Sequence, residues 1–128
     1  MALTLFIAED NKPALDSLSE LLASVAAVEI VGTANSEMAA ADWLMSLNGA
    51  IDLLITDLLL LPGGSGFGLI RHAKSLEAFR KVVVFSDFVT PAVGERCIAL
   101  GADAVFRKSD LDELLAYVRS LAAEMQTS

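Results

Sequence analysis

The hydrophobic positions of this chain fall into short, nearly continuous runs separated by longer stretches of mixed character. Apolar runs of strand length recur at Leu3–Ala8, Val28–Ala34, Ile51–Thr56, Val82–Ser86 and Ala102–Arg107, and each is followed by a segment with helical periodicity. Within the runs Val, Ile, Leu and Phe follow one another without apolar/polar alternation, as in strands covered by helices on both faces. Five such βα units predict an α/β domain with a five-stranded parallel sheet, doubly wound.

Helix boundaries follow from local chemistry. Pro13, just after Asp10 and Asn11, suits a first helical turn, and Leu15, Leu18, Leu22 and Val25 mark one face of that helix. Ser36 is a cap for a second helix running through Leu47 and stopped by Asn48-Gly49. Thr90-Pro91 opens the fourth, which ends before Gly101, and Ser109 with Asp112 resembles a capping box for the last, with Leu111, Leu114, Leu115, Val118 and Leu121 as its stripe. The stretch Leu61–Gly68, LPGGSGFG, reads as a loop.

Composition narrows the class. The chain has 128 residues, 55% hydrophobic and 20% charged, enough for one self-sufficient core covering 1–128 and far from the signature of disorder. One cysteine, Cys97, forms no intrachain bridge, and no Cys/His cluster has zinc spacing, which fits a cytoplasmic protein. The start MALTLFIAED has no basic n-region, and no apolar run is long enough to span a bilayer, so no membrane association is expected. A net charge of −8 argues against a nucleic-acid partner, which needs clustered Lys and Arg.

In open parallel sheets, ligands bind beyond the carboxyl ends of the strands, where the strand order reverses. With the flavodoxin-like order 2-1-3-4-5 that point brings Glu9, Asp10 and Asp57 together, with Ser86 and Lys108 alongside. Three crowded carboxylates need a cation, and an all-oxygen set with few carboxylates suits Mg²⁺. A carboxylate, a hard cation, an ammonium and a hydroxyl at one place suit formation of an acyl phosphate. His72 reads as a boundary residue, Cys97 as helix packing and Trp43 as core, while Met38 and Met45 fall on the polar side of their helix.

These residues resemble the receiver domains of two-component response regulators. The likeness spans the chain and rests on IAEDN, the aspartate of DLLITD, the following LPGGSG, the serine of VVVFSD, and GADAVFRKS. It implies a single-domain response regulator whose only chemistry is its own phosphorylation and dephosphorylation. By the resemblance, Asp10 and Asp57 bind Mg²⁺ directly, Glu9 supports it, and the Leu59 backbone carbonyl is a further ligand. Asp57 would take a phosphoryl group from a sensor histidine kinase or a histidine phosphotransfer protein. Lys108 would pair with that group, and Ser86 would hydrogen-bond it and trigger a rearrangement read by a protein target at the fourth helix, fifth strand and fifth helix.

The chain departs from the pattern at Asp87, usually a small residue, at Val105, often Tyr or Phe, where the aromatic Phe106 follows one place later, and at Ser109, often proline. Asp87 and Val105 keep open a receiver that binds partners without phosphorylation. A receiver excised from a longer regulator is a second alternative, against which the start at Met1 and the lack of a trailing linker weigh. A small hydrolase using Asp57 as nucleophile is a third; it would want an acid where Leu59 stands.

Overall fold

Strands and helices alternate as the apolar runs predict. The computed structural model describes residues 2–25, 27–47, 49–60 and 64–127. Asn48 of the expected helix stop, Leu61, Pro62 and Gly63 of the loop, and the Val25 side chain of the first helix's face lie outside the described residues. The order is β1 (Leu3–Ala8), α1 (Lys12–Val25), β2 (Val28–Ala34), α2 (Glu37–Met45), β3 (Ile51–Thr56), β4 (Leu59–Leu60), β5 (Gly64–Ser65), α3 (Gly66–Ser75), β6 (Phe79–Ser86), α4 (Pro91–Leu100), β7 (Ala104–Arg107), a 3-10 turn (Lys108–Asp110) and α5 (Leu111–Thr127). The main sheet is parallel throughout with order β2-β1-β3-β6-β7, which is the expected 2-1-3-4-5 counted over its five strands.

Both faces of the central strands β1, β3 and β6 are largely buried, so the side-chain period of two sorts their apolar residues into two cores rather than into core and solvent. Leu5, Ile7, Leu53, Ile55 and Val83 pack with Leu18 and Leu22 of α1 and Leu114 and Val118 of α5. Phe6, Leu54, Val82 and Val84 point the other way, onto Leu44, Leu69, Ile70 and Cys97 of α2, α3 and α4. Each fully buried aliphatic side chain contributes roughly 1.5–3 kcal/mol. Trp43 is half-buried, its ring 4.5 Å from that of Phe6.

Caps set the helix starts. The Asn11 side chain accepts from the Ala14 amide at 2.9 Å, Ser36 from Ala39 at 3.1 Å, Ser65 from Gly68 at 3.3 Å and Thr90 from Val93 at 3.2 Å. Gly101 ends α4 at φ 116°, a conformation suited to glycine.

Several boundaries differ from those the sequence predicts. The fourth sheet strand begins at Phe79, not Val82, because Phe79 pairs with Ile51 and is buried; the charges of Arg80 and Lys81 break the apolar run that would have revealed it. The last strand begins at Ala104, since the Ala102 amide is spent on the Cys97 carbonyl in closing α4. Helix α2 stops at Met45, not Leu47, where the Ser46 amide and hydroxyl both turn onto the Trp43 carbonyl. Ser109 does not cap α5: a 3-10 turn without a side-chain cap leads into it, and Ser109 and Asp112 are exposed. Within the segment expected as a plain loop, Gly64–Ser65 forms β5, which pairs antiparallel with β4 just before that segment, and α3 begins at Gly66 inside it.

Candidate functional site

The parallel ladder carries the acidic residues to one place. The Glu9 amide donates to the Ala34 carbonyl and the Asp57 amide to that of Ala8, both at 3.0 Å, so the chain leaving β1 and the chain leaving β3 emerge side by side. Glu9 and Asp57 are buried and Asp10 is half-buried. One oxygen from each lies within 4.8 Å of the other two, the one acidic group among the described residues placed to hold a metal ion.

Both oxygens of Asp57 are engaged. Oδ1 accepts from the Ser86 hydroxyl at 2.6 Å, from the Leu58 amide at 2.6 Å and from the Leu59 amide at 3.3 Å. Oδ2 faces the Lys108 ammonium at 2.9 Å, and that ammonium also donates to Glu9 Oε1. Ser86 closes β6, is fully buried, and accepts through Oγ from the Phe88 amide at 3.2 Å. Glu9 Oε2 accepts from the Asn11 amide at 3.2 Å. The sequence-predicted set Glu9, Asp10, Asp57, Ser86 and Lys108 is thus brought together, and Leu59 adjoins it through its own backbone.

Electrostatics follow from burial and crowding. Burial pushes the Glu9 carboxyl above its ordinary value against the pull of Lys108 and the Asn11 amide, and the charge of Asp57 adds to the rise. Burial works to lower the Lys108 ammonium, yet its hydrogen bonds to Glu9 and Asp57 and their charges carry it above the usual lysine value. Counted as ionised, three carboxylates and the one ammonium that pairs with Glu9 and Asp57 carry a formal charge of −2, which matches a divalent cation in number and its all-oxygen preference in kind.

Of the positions where the chain departs from the receiver pattern, Asp87 directly follows Ser86 and Val105 stands three residues before Lys108. Asp87 is exposed in the turn after Ser86. Val105 lies on the α4 side of the sheet, while Phe106, one residue on, points to the α5 side and packs edge-on against Tyr117 at 5.7 Å; it therefore does not stand in for an aromatic at 105. Beside Val105 a cleft of about 780 Å³ is lined by Val89, Pro91, Ile98 and Arg107. His72 is exposed, 3.9 Å from Glu37, and Cys97 is buried in packing.

Sequence reasoning missed the Leu58 and Leu59 amides, since backbone donors carry no residue signature. It also missed Glu37, whose Oε1 accepts from the Ser65 amide at 2.8 Å. The signal was the spacing Gly64-x-Gly66-x-Gly68: all three glycines sit where a side chain would collide, Gly66 with the Asp57 carbonyl and the other two with Glu37.

A parallel doubly wound domain with this constellation at its switch point defines a receiver-type signalling module. The family description "response regulator receiver domain" matches residues 5–119, and the chain belongs to that family. It is accordingly a signalling module rather than a conventional enzyme, of a class that interacts with histidine kinases or phosphotransfer proteins. No curated protein matches the chain. Among solved structures, the response regulator domain of Thermotoga maritima CheB is similar with TM-score 0.82 at 16% identity, covering 96% of this chain and 98% of that one. A DNA-binding response regulator of the LuxR family from Staphylococcus aureus follows at TM-score 0.81 and 20% identity, covering 94% and 98%. The phosphorylated cyanobacterial phytochrome response regulator RcpA has TM-score 0.75 and 26% identity, covering 94% and 91%. The first two likenesses speak for the fold alone. The expectation that nucleic acid is no partner finds no support in this company, since the Staphylococcus protein is a DNA-binding regulator. None of the helices described is long and apolar enough to cross a membrane.

Proposed function

We propose that residues 1–128 form one receiver domain that accepts a phosphoryl group on Asp57 from a phosphohistidine of a sensor histidine kinase or phosphotransfer protein. The observation that carries this reading is the engagement of Asp57: one oxygen faces the Lys108 ammonium, from the chain leaving β7, and the other the Ser86 hydroxyl, from the end of the adjacent β6, beside two further carboxylates. An Asp57 oxygen forms the new O–P bond as the P–N bond of the donor breaks, and the imidazole leaves with the electron pair. Lys108 Nζ pairs with one phosphoryl oxygen, and the Ser86 hydroxyl turns from Asp57 to another. The carboxylates of Asp10 and Asp57 and the Leu59 carbonyl would hold Mg²⁺ with Glu9 in support; when bound, the ion offsets the charge of the incoming phosphoryl group. The redirected Ser86 hydroxyl gives up the Phe88 amide, which links the site to the turn leading into α4 and to the cleft at Val105, where a protein target would read the change. A cytoplasmic setting suits this chemistry and the one buried thiol.

The test is incubation with Mg²⁺ and phosphoramidate, or with a panel of histidine kinases, followed by intact mass. A gain of one phosphoryl group that disappears in chelator and in Asp57→Asn is the expected result. Equal labelling of Asp57→Asn would refute it.

A further inference from the structure

We propose that Glu37, on α2, is a positioning residue for the Asp57 site, holding the β4–β5 pair that carries Leu59. The proposal rests on the functional reading above and extends it to a residue outside the cluster of acids.

Register decides which backbone groups of the pair face outward. Leu59 pairs with Ser65 and Leu60 with Gly64, and the Gly66 amide donates to the Leu58 carbonyl at 3.0 Å. Antiparallel pairs alternate between hydrogen-bonded and non-hydrogen-bonded, so a bonded pair at Leu58 and Gly66 makes Leu59 and Ser65 the non-bonded pair. Their amide and carbonyl groups then point away from each other, out of the two sides of the ladder. On the Leu59 side the amide reaches Asp57 Oδ1, which leaves the Leu59 carbonyl facing outward on that side as well. On the Ser65 side the amide reaches Glu37 Oε1. The hairpin is therefore held between two carboxylates, one at the site and one on α2.

Close approach makes the hold specific. A methyl group at Gly64 would come within 2.5 Å of the Glu37 Cβ, and one at Gly68 would meet the Glu37 carboxylate. The Glu37 side chain is three-quarters buried, seated along the glycines that open α3. A two-residue strand pair has little hold of its own. Loss of the Glu37 acceptor frees the Ser65 amide, loosens the pairing opposite it, and lets Leu59 drift from Asp57. Groups that orient ligands without touching the metal typically change its affinity by roughly 10- to 100-fold when removed.

The experiment measures amide hydrogen exchange at Leu59 and Ser65 by NMR in metal-free protein, then titrates MgCl₂. Glu37→Ala should speed exchange at both amides and weaken Mg²⁺ binding about tenfold or more, whereas Glu37→Gln, which keeps the acceptor oxygen, should restore most of both. Gly68→Ala, whose new methyl presses on the Glu37 carboxylate, should weaken Mg²⁺ binding in the parent chain but add nothing in the Glu37→Ala background. Unchanged Leu59 exchange and Mg²⁺ affinity in a folded Glu37→Ala protein would overturn the proposal. So would an equal effect of Gly68→Ala with and without Glu37, and Gly68→Ala against Glu37→Gln decides the matter if Glu37→Ala does not fold. Should the parent chain bind no Mg²⁺ and take no label at Asp57, the functional reading fails, while exchange in metal-free protein still decides the role of Glu37.

Discussion

At the scale of single residues, the mouth of the site is set by the side chains just after Asp57 and Ser86. Leu59 and Phe88, each two residues on, are exposed apolar side chains, and Asp87 is an exposed acid between Ser86 and Phe88. A unit charge about 8 Å from another in water repels it by roughly 0.5 kcal/mol, and a dianion by about twice that. Asp87→Ala should therefore react with small anionic phosphodonors roughly two- to fivefold faster at low salt, with the gap closing as ionic strength rises. Labelling rates of the two proteins at two salt concentrations check this; equal rates at low salt would show that Asp87 does not influence the donor's approach.

At the scale of elements, the sheet was legible because burial on both faces writes each strand as a run of apolar letters. Where charges interrupt a run, as Arg80 and Lys81 do after Phe79, the strand end was lost. The acids and Lys108 were legible because the parallel order alone gathers strand ends. The β4–β5 pair was not, since a pair of two-residue strands has no period to detect, and neither was Glu37, whose partner lies 28 positions away. Asp52 was another partner hidden by distance. From β3 it accepts from the Thr4 amide and hydroxyl of β1 at 2.9 and 3.0 Å and pairs with Arg80 of β6 at 3.2 Å, joining three strands at the end of the sheet opposite the site. Burial works to raise its carboxyl, but Thr4 and Arg80 hold it below the ordinary value of 3.8. A carboxyl lowered on folding adds stability that is present above its unfolded value and is lost as the pH falls through the folded one. Asp52→Ala should thus destabilise the protein by about 1–3 kcal/mol at neutral pH and by less at a pH well below the ordinary carboxyl value of 3.8. Urea unfolding at both pH values measures it, and a difference that grows on acidification would contradict the assigned partners.

At the scale of the whole molecule, the site places like charges together in a chain already at net charge −8. Glu9, Asp10 and Asp57 share one corner with the Lys108 ammonium to offset them, and the burial that raises the Glu9 carboxyl disfavours its ionised form. Crowded like charges lower the stability of the metal-free fold, and a cation bound among them would restore it. Removing one charge, as in Asp10→Asn, should then stabilise the metal-free protein while weakening its response to Mg²⁺. For the parent chain, an ion that binds only the folded state at 100 times its dissociation constant adds about 2.7 kcal/mol, which for a domain of this size raises the Tm by roughly 10 °C. Thermal unfolding in chelator and across a MgCl₂ series separates the two effects, with NaCl at matched ionic strength removing general screening. The expected pattern is a parent protein less stable than Asp10→Asn in chelator, with the order reversed at high Mg²⁺. A parent Tm that does not move with Mg²⁺ beyond the NaCl control would show that these carboxylates do not hold the ion, and an Asp10→Asn protein less stable than the parent in chelator would show that their mutual repulsion is already relieved by Lys108.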